Sequence, residues 1–166
     1  MNRDQTEPRR KLTSAVWIAT GLGVGLVSPA PGTIGALWGI AWAWGVLSFA
    51  YPWGWATVLV GLAAGVPLCD RAQRDLGGKK DPGEIVWDEI ATVPLIFLFA
   101  GEDVGWFTLL LGFGLHRLFD ISKPWPCKRL ERLHGGLGIM ADDVMAALYG
   151  ALALRGIFAI SHLATS

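Results

Sequence analysis

Long apolar stretches alternate with shorter polar segments along most of the chain. Stretches such as 54–69 are apolar on every face and lack the strict alternation of a half-buried strand, so they predict helices. A helix needs about 20 mostly apolar residues to cross a bilayer, and most of these stretches are shorter. We therefore expect an all-α polytopic membrane bundle with about five short spans and one further N-terminal helix. The stretches cover approximately 15–27, 35–51, 54–69, 90–101, 104–119 and 144–160.

The first apolar stretch differs from the other five. Residues 15–27 contain three glycines, which weaken a helix, and a segment rich in proline and glycine follows at 28–35. The pattern favours an interfacial or re-entrant helix over a span, although the sequence leaves a full crossing open. We expect a cytoplasmic tail at 1–13, a single integral-membrane domain at 14–161 and a C-terminal tail at 162–166.

Charge orients the five predicted spans. With the N-terminal tail in the cytoplasm, every Lys and Arg except Arg155 falls on the cytoplasmic side, as the positive-inside rule requires. Tryptophans collect near both predicted interfaces, as in an aromatic belt. The sequence thus predicts a multi-pass protein whose polar loops face the cytoplasm.

Composition narrows the classes of protein further. Hydrophobic residues make up 52% of the chain and charged residues 17%, with a mean hydropathy of +0.43, which excludes intrinsic disorder. The 14 basic and 14 acidic residues cancel, so an electrostatic nucleic-acid binder is excluded and no nucleic-acid partner is expected. Cys69 and Cys127 form no CxxC motif and are expected to be free thiols.

Acidic residues occur in adjacent pairs where two apolar stretches begin. The pairs are Asp88 with Glu89 and Asp142 with Asp143. A helix dipole stabilises an N-terminal carboxylate by about 0.3–1 kcal/mol, which explains one acid of each pair as a cap. Two neighbouring carboxylates repel, and a shared hard cation relieves that repulsion. Mg²⁺ is typically held by one or two carboxylates together with phosphate oxygens. The pairs therefore favour a metal site, with simple capping as the alternative.

Basic residues near the second pair suit an anionic substrate. Arg117 and Asp120 are spaced i, i+3 and face the same side of a helix, and Lys123 follows. Contact with anionic membrane lipid is the alternative, and it suffices for Lys128, Arg129 and Arg132.

Two glycine-rich segments, 28–35 and 134–138, are weaker signals. Either could present backbone N–H groups to a phosphate, but neither is followed by GK[ST], and tight turns explain them equally well. His134 is a candidate acid or base, or an ordinary surface histidine. The chain has no CxxxxxR, DxDx[TV] or HExxH motif, so metal-assisted hydrolysis is favoured over a covalent nucleophile.

Four segments together resemble the bacterial phosphatidylglycerophosphatase A family, in order and over nearly the whole chain. Ala36, Thr92 and His116 stand where that family often has other residue types. The four segments are SPAPGTIG at 28–35, GEIVWDE at 83–89, RLFDISKPWP at 117–126 and GGLGIMADD at 135–143.

The resemblance implies a Mg²⁺-dependent enzyme of the bacterial inner (cytoplasmic) membrane, with its active site facing the cytoplasm. Its substrate would be phosphatidylglycerophosphate, whose terminal phosphate monoester is hydrolysed to phosphatidylglycerol and inorganic phosphate in phospholipid biosynthesis. Arg117 and Lys123 would neutralise the phosphoryl oxygens, His134 would protonate the leaving oxygen, and Ser28 and Thr33 would bind substrate. The expected metal residues are Asp75, Asp88, Glu89, Asp120, Asp142 and Asp143, with Asp88 and Glu89 also catalytic and with Asp81 and Glu84 as an outer shell.

Two other functions stay open at this point. One is a phosphatase acting on another lipid or isoprenoid phosphate, and the other is a non-catalytic membrane binding or scaffold protein. The oligomeric state is not readable, because the GxxxG formed by Gly61 and Gly65 could pack helices within or between chains.

Overall fold

The computed structural model describes residues 10–49, 52–100 and 104–165. These ranges are helical and contain no strand, which confirms the all-α prediction. Their helices are α1 Ser14–Ala19, α2 Val24–Val27, α3 Pro31–Leu47, α4 Trp53–Asp75, α5 Trp87–Ala100, α6 Trp106–Ser122, α7 Cys127–Leu130 and α8 Gly135–Thr165.

The five long helices overlap the last five apolar stretches of the sequence, although α4 ends six residues later and α8 begins nine residues earlier than predicted. Helix α5 is central: it contacts α3, α4, α6 and α8, and its residues 91–97 are all buried. Helix α8 is the second centre and contacts α4, α5, α6 and α7. Burial of α5 on every side explains why its sequence is apolar all round rather than amphipathic.

Two helices are long and apolar enough to cross a membrane by length and composition, namely Trp53–Asp75 and Gly135–Ala164. The others are shorter, with 17 residues in α3 and α6 and 14 in α5. Large apolar side chains such as Trp44, Leu59, Leu110 and Leu152 are nevertheless exposed on the outer faces of the bundle. Extensive exposed apolar surface of this kind is typical of a membrane-facing protein.

The N-terminal segment is broken into two short helices. Gly21 and Gly23 between them adopt positive φ angles of +62° and +88°, which end α1 and turn the chain. With six and four residues, neither α1 nor α2 can cross a bilayer. The segment folds back onto the bundle, where the Val86 amide donates to the Ala19 carbonyl at 2.9 Å.

Glycines let α3 lie directly against α5. A Cβ at Gly35 would lie 2.7 Å from the Cβ of Val86, and one at Gly39 would lie 2.7 Å from the Cβ of Val93. The GxxxG of α4 packs within the same chain, because Gly61 contacts Trp42 and Gly65 contacts Met140. The motif is thus used for packing inside the bundle.

A buried hydrogen-bond chain joins α5 to α6. The Thr92 hydroxyl donates to the Asp88 carbonyl at 2.7 Å, and Thr92 Oγ1 lies 3.1 Å from His116 Nε2. Because the hydroxyl has one hydrogen and gives it to Asp88, Nε2 is the donor in the second bond. Both side chains are fully buried.

A Thr92→Val variant is expected to lose about 1–3 kcal/mol of stability, because it leaves the buried Nε2–H of His116 without an acceptor. The measurement is the unfolding free energy of the full chain in detergent. Thr57→Val is the matched control, since among the described residues the Thr57 hydroxyl bonds the Trp53 carbonyl of its own helix alone, at 2.9 Å. Equal losses in the two variants would contradict the assigned role of Thr92.

Candidate active site

A polar cavity of about 280 Å³ lies where several helix ends meet. The first residues of α3 and α5 reach it, together with the second and third turns of α8, the last two turns of α6 and the loop between α4 and α5. We call it the carboxylate cavity. The charged residues among its described lining are Asp81, Asp88, Glu89, Arg117, Asp120, Lys123, Asp142 and Asp143.

Three buried carboxylates form the deepest part of this cavity. Each of Asp88, Glu89 and Asp143 offers an oxygen, and these oxygens lie within 4.8 Å of one another. Asp88 Oδ1 and Glu89 Oε2 have no hydrogen-bond partner among the described residues. Buried carboxylate oxygens without partners are costly unless a cation compensates them. An all-oxygen donor set of this kind fits a hard cation such as Mg²⁺.

The position of the second acidic pair excludes helix capping as its explanation. The sequence places Asp142 and Asp143 at the start of an apolar stretch, but α8 begins at Gly135. The pair therefore lies about two turns inside the helix, beyond the first turn in which the dipole acts. Asp88 and Glu89 do lie in the first turn of α5, so capping contributes to that pair alone.

Two cations face the carboxylates from the end of α6. Arg117 Nη1 donates to Asp120 Oδ2 at 2.5 Å and lies 3.6 Å from Glu89 Oε1. Lys123 Nζ donates to Asp142 Oδ2 at 2.7 Å. Partial burial opposes the charged form, but the hydrogen bond and charge of Asp142 outweigh it and raise the pKa of Lys123. Lys123 therefore stays protonated throughout the physiological range.

The charge balance of the cavity is strongly negative. Its described lining carries six carboxylates and two cations, a formal charge of −4 when all are ionised. A phosphate monoester is itself an anion and would be repelled. A bound divalent cation would offset both the internal repulsion and this barrier.

The segment at 28–35 contributes backbone to the site. A Cβ at Gly32 would overlap Glu89 Oε1 and would lie 3.1 Å from Arg117 Nη1. Glycine at this position lets the start of α3 close one wall of the cavity. Sequence reasoning missed Gly32, although its spacing with Gly35 and Gly39 marks one face of a helix.

Five residues that the sequence suggested for the site lie outside the carboxylate cavity, namely Ser28, Thr33, Asp75, Glu84 and His134. Asp75 Oδ2 accepts hydrogen bonds from Thr13 Oγ1 at 2.8 Å and from Arg71 Nε at 2.9 Å, which tie the N-terminal segment to α4. Ser28 Oγ accepts from the Ala30 amide at 3.1 Å and serves a local turn. Thr33 does not line the cavity, which α3 meets through Pro31 and Gly32.

His134 lines a different cavity, together with Gln73 and Arg74. It is therefore not placed to protonate a group bound in the carboxylate cavity. Of the two residues predicted to form an outer shell, one lines the carboxylate cavity and the other does not. Asp81 lines the carboxylate cavity, whereas Glu84 pairs with Arg10 at 3.1 Å.

Comparisons with known proteins agree with the resemblance noted in the sequence. The family model described as phosphatidylglycerophosphatase A matches residues 17–158. A phosphatidylglycerophosphatase A from Escherichia coli strain K12 is 37% identical over 155 residues, covering 90% of this chain and 87% of that protein. The Haemophilus influenzae phosphatidylglycerophosphatase A is 40% identical over 150 residues, covering 87% of each.

A third relative carries a different activity in its name. A Bacteroides thetaiotaomicron protein, whose name proposes a phosphatidylinositol-3-phosphatase, is 35% identical over 141 residues, covering 81% of this chain and 87% of that protein. No solved structure matches the chain.

Proposed function

This chain belongs to the phosphatidylglycerophosphatase A family, and from that premise we propose that it is a Mg²⁺-dependent phosphatidylglycerophosphatase. It hydrolyses the terminal phosphate monoester of phosphatidylglycerophosphate to phosphatidylglycerol and inorganic phosphate. The metal part of the proposal rests on the juxtaposition of Asp88, Glu89 and Asp143. Asp88 and Glu89 each have a buried oxygen with no hydrogen-bond partner in the part of the chain that the structure describes.

Asp88, Glu89 and Asp143 are the residues that would hold the metal. When bound, Mg²⁺ supplies positive charge that attracts the phosphoryl oxygens and favours attack by water. Asp120 and Asp142 contribute differently, because each already accepts a hydrogen bond from a cation of the same cavity. Their carboxylates orient Arg117 and Lys123 toward the place where substrate binds.

Arg117 and Lys123 bind the anionic oxygens of the phosphate group. The Arg117 guanidinium is planar and can form two parallel hydrogen bonds to a phosphate. Charge on the phosphoryl oxygens and the leaving oxygen changes as the ester bond breaks. Fixed cations that face those atoms stabilise the transition state without reorganisation. These two residues are therefore proposed as catalytic.

The membrane arrangement is also part of the proposal. We place α3, α4, α5, α6 and α8 as five crossings of the inner membrane, with the carboxylate cavity at the cytoplasmic end. The cavity lies at the helix ends that carry nearly all the Lys and Arg residues, as cytoplasmic ends do. Helix α5 has only 14 residues, fewer than a full crossing needs. Because other helices surround it, its polar ends are shielded from the hydrocarbon of the bilayer.

Substrate competition tests the proposed lipid. Purified full-length protein is expected to release phosphate from phosphatidylglycerophosphate faster than from phosphatidic acid or phosphatidylinositol 3-phosphate at equal concentration. Phosphatidylinositol 3-phosphate is included because the name of the B. thetaiotaomicron relative proposes it as a substrate. A higher kcat/KM for phosphatidylinositol 3-phosphate would replace the proposed substrate while retaining the phosphatase activity.

An Asp75→Asn variant is expected to keep its turnover per folded molecule and to lose stability. The change weakens the acceptor of Thr13 and Arg71, which ties the N-terminal segment to α4. The measurement pairs phosphate release with the thermal unfolding midpoint of the same preparation. Loss of turnover with an unchanged unfolding midpoint would show that Asp75 takes part in the reaction.

A further inference from the structure

A second polar cavity shares no lining residue with the carboxylate cavity. Its volume is about 320 Å³, and we call it the basic cavity. Residues from the end of α4, the loop after it and the segment between α7 and α8 form its lining. The side chains that give it its character are Arg74, Lys80, Arg132 and His134.

The basic cavity has a net positive charge. Lys80 and Arg132 form no ion pair within the part of the chain that the structure describes. Arg74 is paired with Asp70 at 2.5 Å, and nearby Glu131 is paired with Lys123 at 3.3 Å. Counting Asp70 with the three cations leaves a formal charge of +2 with His134 neutral. The cavity therefore attracts an anion.

An apolar groove of about 490 Å³ lies along the seam between α4 and α8. Its lining neighbours that of the basic cavity in the chain, although Gly136 packs against the Val66 carbonyl between them. Leu130 lines the groove and Leu133 the basic cavity, while in α8 Gly135 lines the cavity and Leu137 the groove. The groove residues are Leu59, Leu62, Ala63, Val66, Leu130, Leu137, Met140, Ala141, Val144 and Met145.

The polarity of the two cavities and the length of the groove suit one molecule of phospholipid lying over both. From Val66 to Leu59 the groove follows α4 for two turns, roughly 10 Å at 1.5 Å per residue. That length lies within one leaflet, whose hydrocarbon layer is about 15 Å deep. The polar end of the seam is cationic and the deep end is apolar, as an anionic headgroup and an acyl chain require. We propose that this seam binds an anionic phospholipid with a phosphodiester headgroup, the chemical class of the proposed product.

The site is distinct from the carboxylate cavity. At 3.6 residues per turn, Leu137, Ala141 and Val144 lie on one face of α8. Asp142 and Asp143 point away from that face and line the carboxylate cavity. The same helix thus separates the two sites and contacts both. The inference rests on the membrane placement proposed above, but its test does not depend on catalysis.

The test is retention of lipid by the full-length protein in detergent, measured by native mass spectrometry. The probes are dioleoyl phosphatidylglycerol and dioleoyl phosphatidylcholine, which share acyl chains and differ in net charge. Phosphatidylglycerol is expected to bind more tightly. A Lys80→Gln/Arg132→Gln double variant should weaken its binding by roughly thirtyfold, or about fivefold for each charge removed. Ala63→Phe, which fills the groove, should weaken it independently.

The matched control is Lys128→Gln/Arg129→Gln, which removes the same number of charges from exposed positions of α7. Equal losses in the two double variants, or equal retention of both lipids by the wild type, would overturn the proposal. So would retention that Lys80→Gln/Arg132→Gln leaves intact, since that result places the bound lipid outside the basic cavity. Displacement by millimolar inorganic phosphate, with no effect of Ala63→Phe, would reduce the site to one for free phosphate. Retention is measured without turnover, so a failure of the proposed phosphatase activity would be seen separately.

Discussion

An Asp143→Asn variant is expected to release phosphate from phosphatidylglycerophosphate more than about a hundredfold more slowly than the wild type. Asp143 is buried and offers an oxygen within 4.8 Å of those of Asp88 and Glu89, so the change removes one charge from the group that would hold the cation. Loss of an outer partner at a metal site costs about 10–100-fold, and loss of a direct ligand should exceed that. The measurement is the initial rate across a Mg²⁺ titration, in which the variant should also need more Mg²⁺.

Asp75→Asn is the matched control for this experiment, because it makes the same chemical change at a buried carboxylate outside the carboxylate cavity. An Asp143→Asn rate within tenfold of wild type, with an unchanged Mg²⁺ dependence, would contradict the role given to Asp143. A circular dichroism spectrum of each variant verifies that the helices are intact.

An Arg117→Gln variant is expected to lose about 10²–10³ in kcat, the usual result of removing one donor that stabilises transition-state charge. Arg117 lies between Asp120 and Glu89, and the cavity contains few positive charges to replace it. The measurement is kcat and KM for phosphatidylglycerophosphate at saturating Mg²⁺.

Arg117→Lys should recover part of the lost rate, because it restores the charge without the two-pronged geometry. Arg129→Gln, on the exposed surface of α7, is the control and should leave kcat unchanged. A variant whose KM rises while kcat stays at the wild-type value would assign Arg117 to uniform substrate binding instead of catalysis.

The helices themselves were predictable from the sequence, because each long helix is an apolar stretch bounded by polar or glycine-rich residues. The start of α8 was not. Residues 135–138 contain three glycines and suggest a turn, yet α8 begins at Gly135. A Cβ at Gly136 would overlap the Val66 carbonyl, so glycine is needed there for close approach of α4 and α8. Tertiary packing outweighed helix propensity.

The core of the candidate site was also predictable, because acids and cations near the same end of neighbouring helices must meet when the helices pack side by side. Asp88, Glu89, Asp143, Arg117 and Lys123 all line the carboxylate cavity. This agreement follows from topology: the starts of α5 and α8 and the end of α6 share one end of the bundle.

The residues that the sequence suggested for the site but that lie outside the cavity contact other parts of the chain. Asp75 accepts a hydrogen bond from Thr13, 62 residues earlier, and no local sequence pattern predicts that contact. His134 lies only one residue before α8, but it faces α4 and the loop after it instead of α6. The sequence gives spacing along a helix, whereas the direction in which a loop side chain points depends on packing between helices.

The most direct test of the account is phosphate release from phosphatidylglycerophosphate by the purified wild-type protein in detergent, before and after removal of divalent cations. We expect turnover with Mg²⁺, its loss in excess EDTA and its recovery when Mg²⁺ is added back. Turnover that is indifferent to EDTA would contradict the metal site formed by Asp88, Glu89 and Asp143. Absence of turnover in folded, Mg²⁺-supplied protein would contradict the proposed reaction itself.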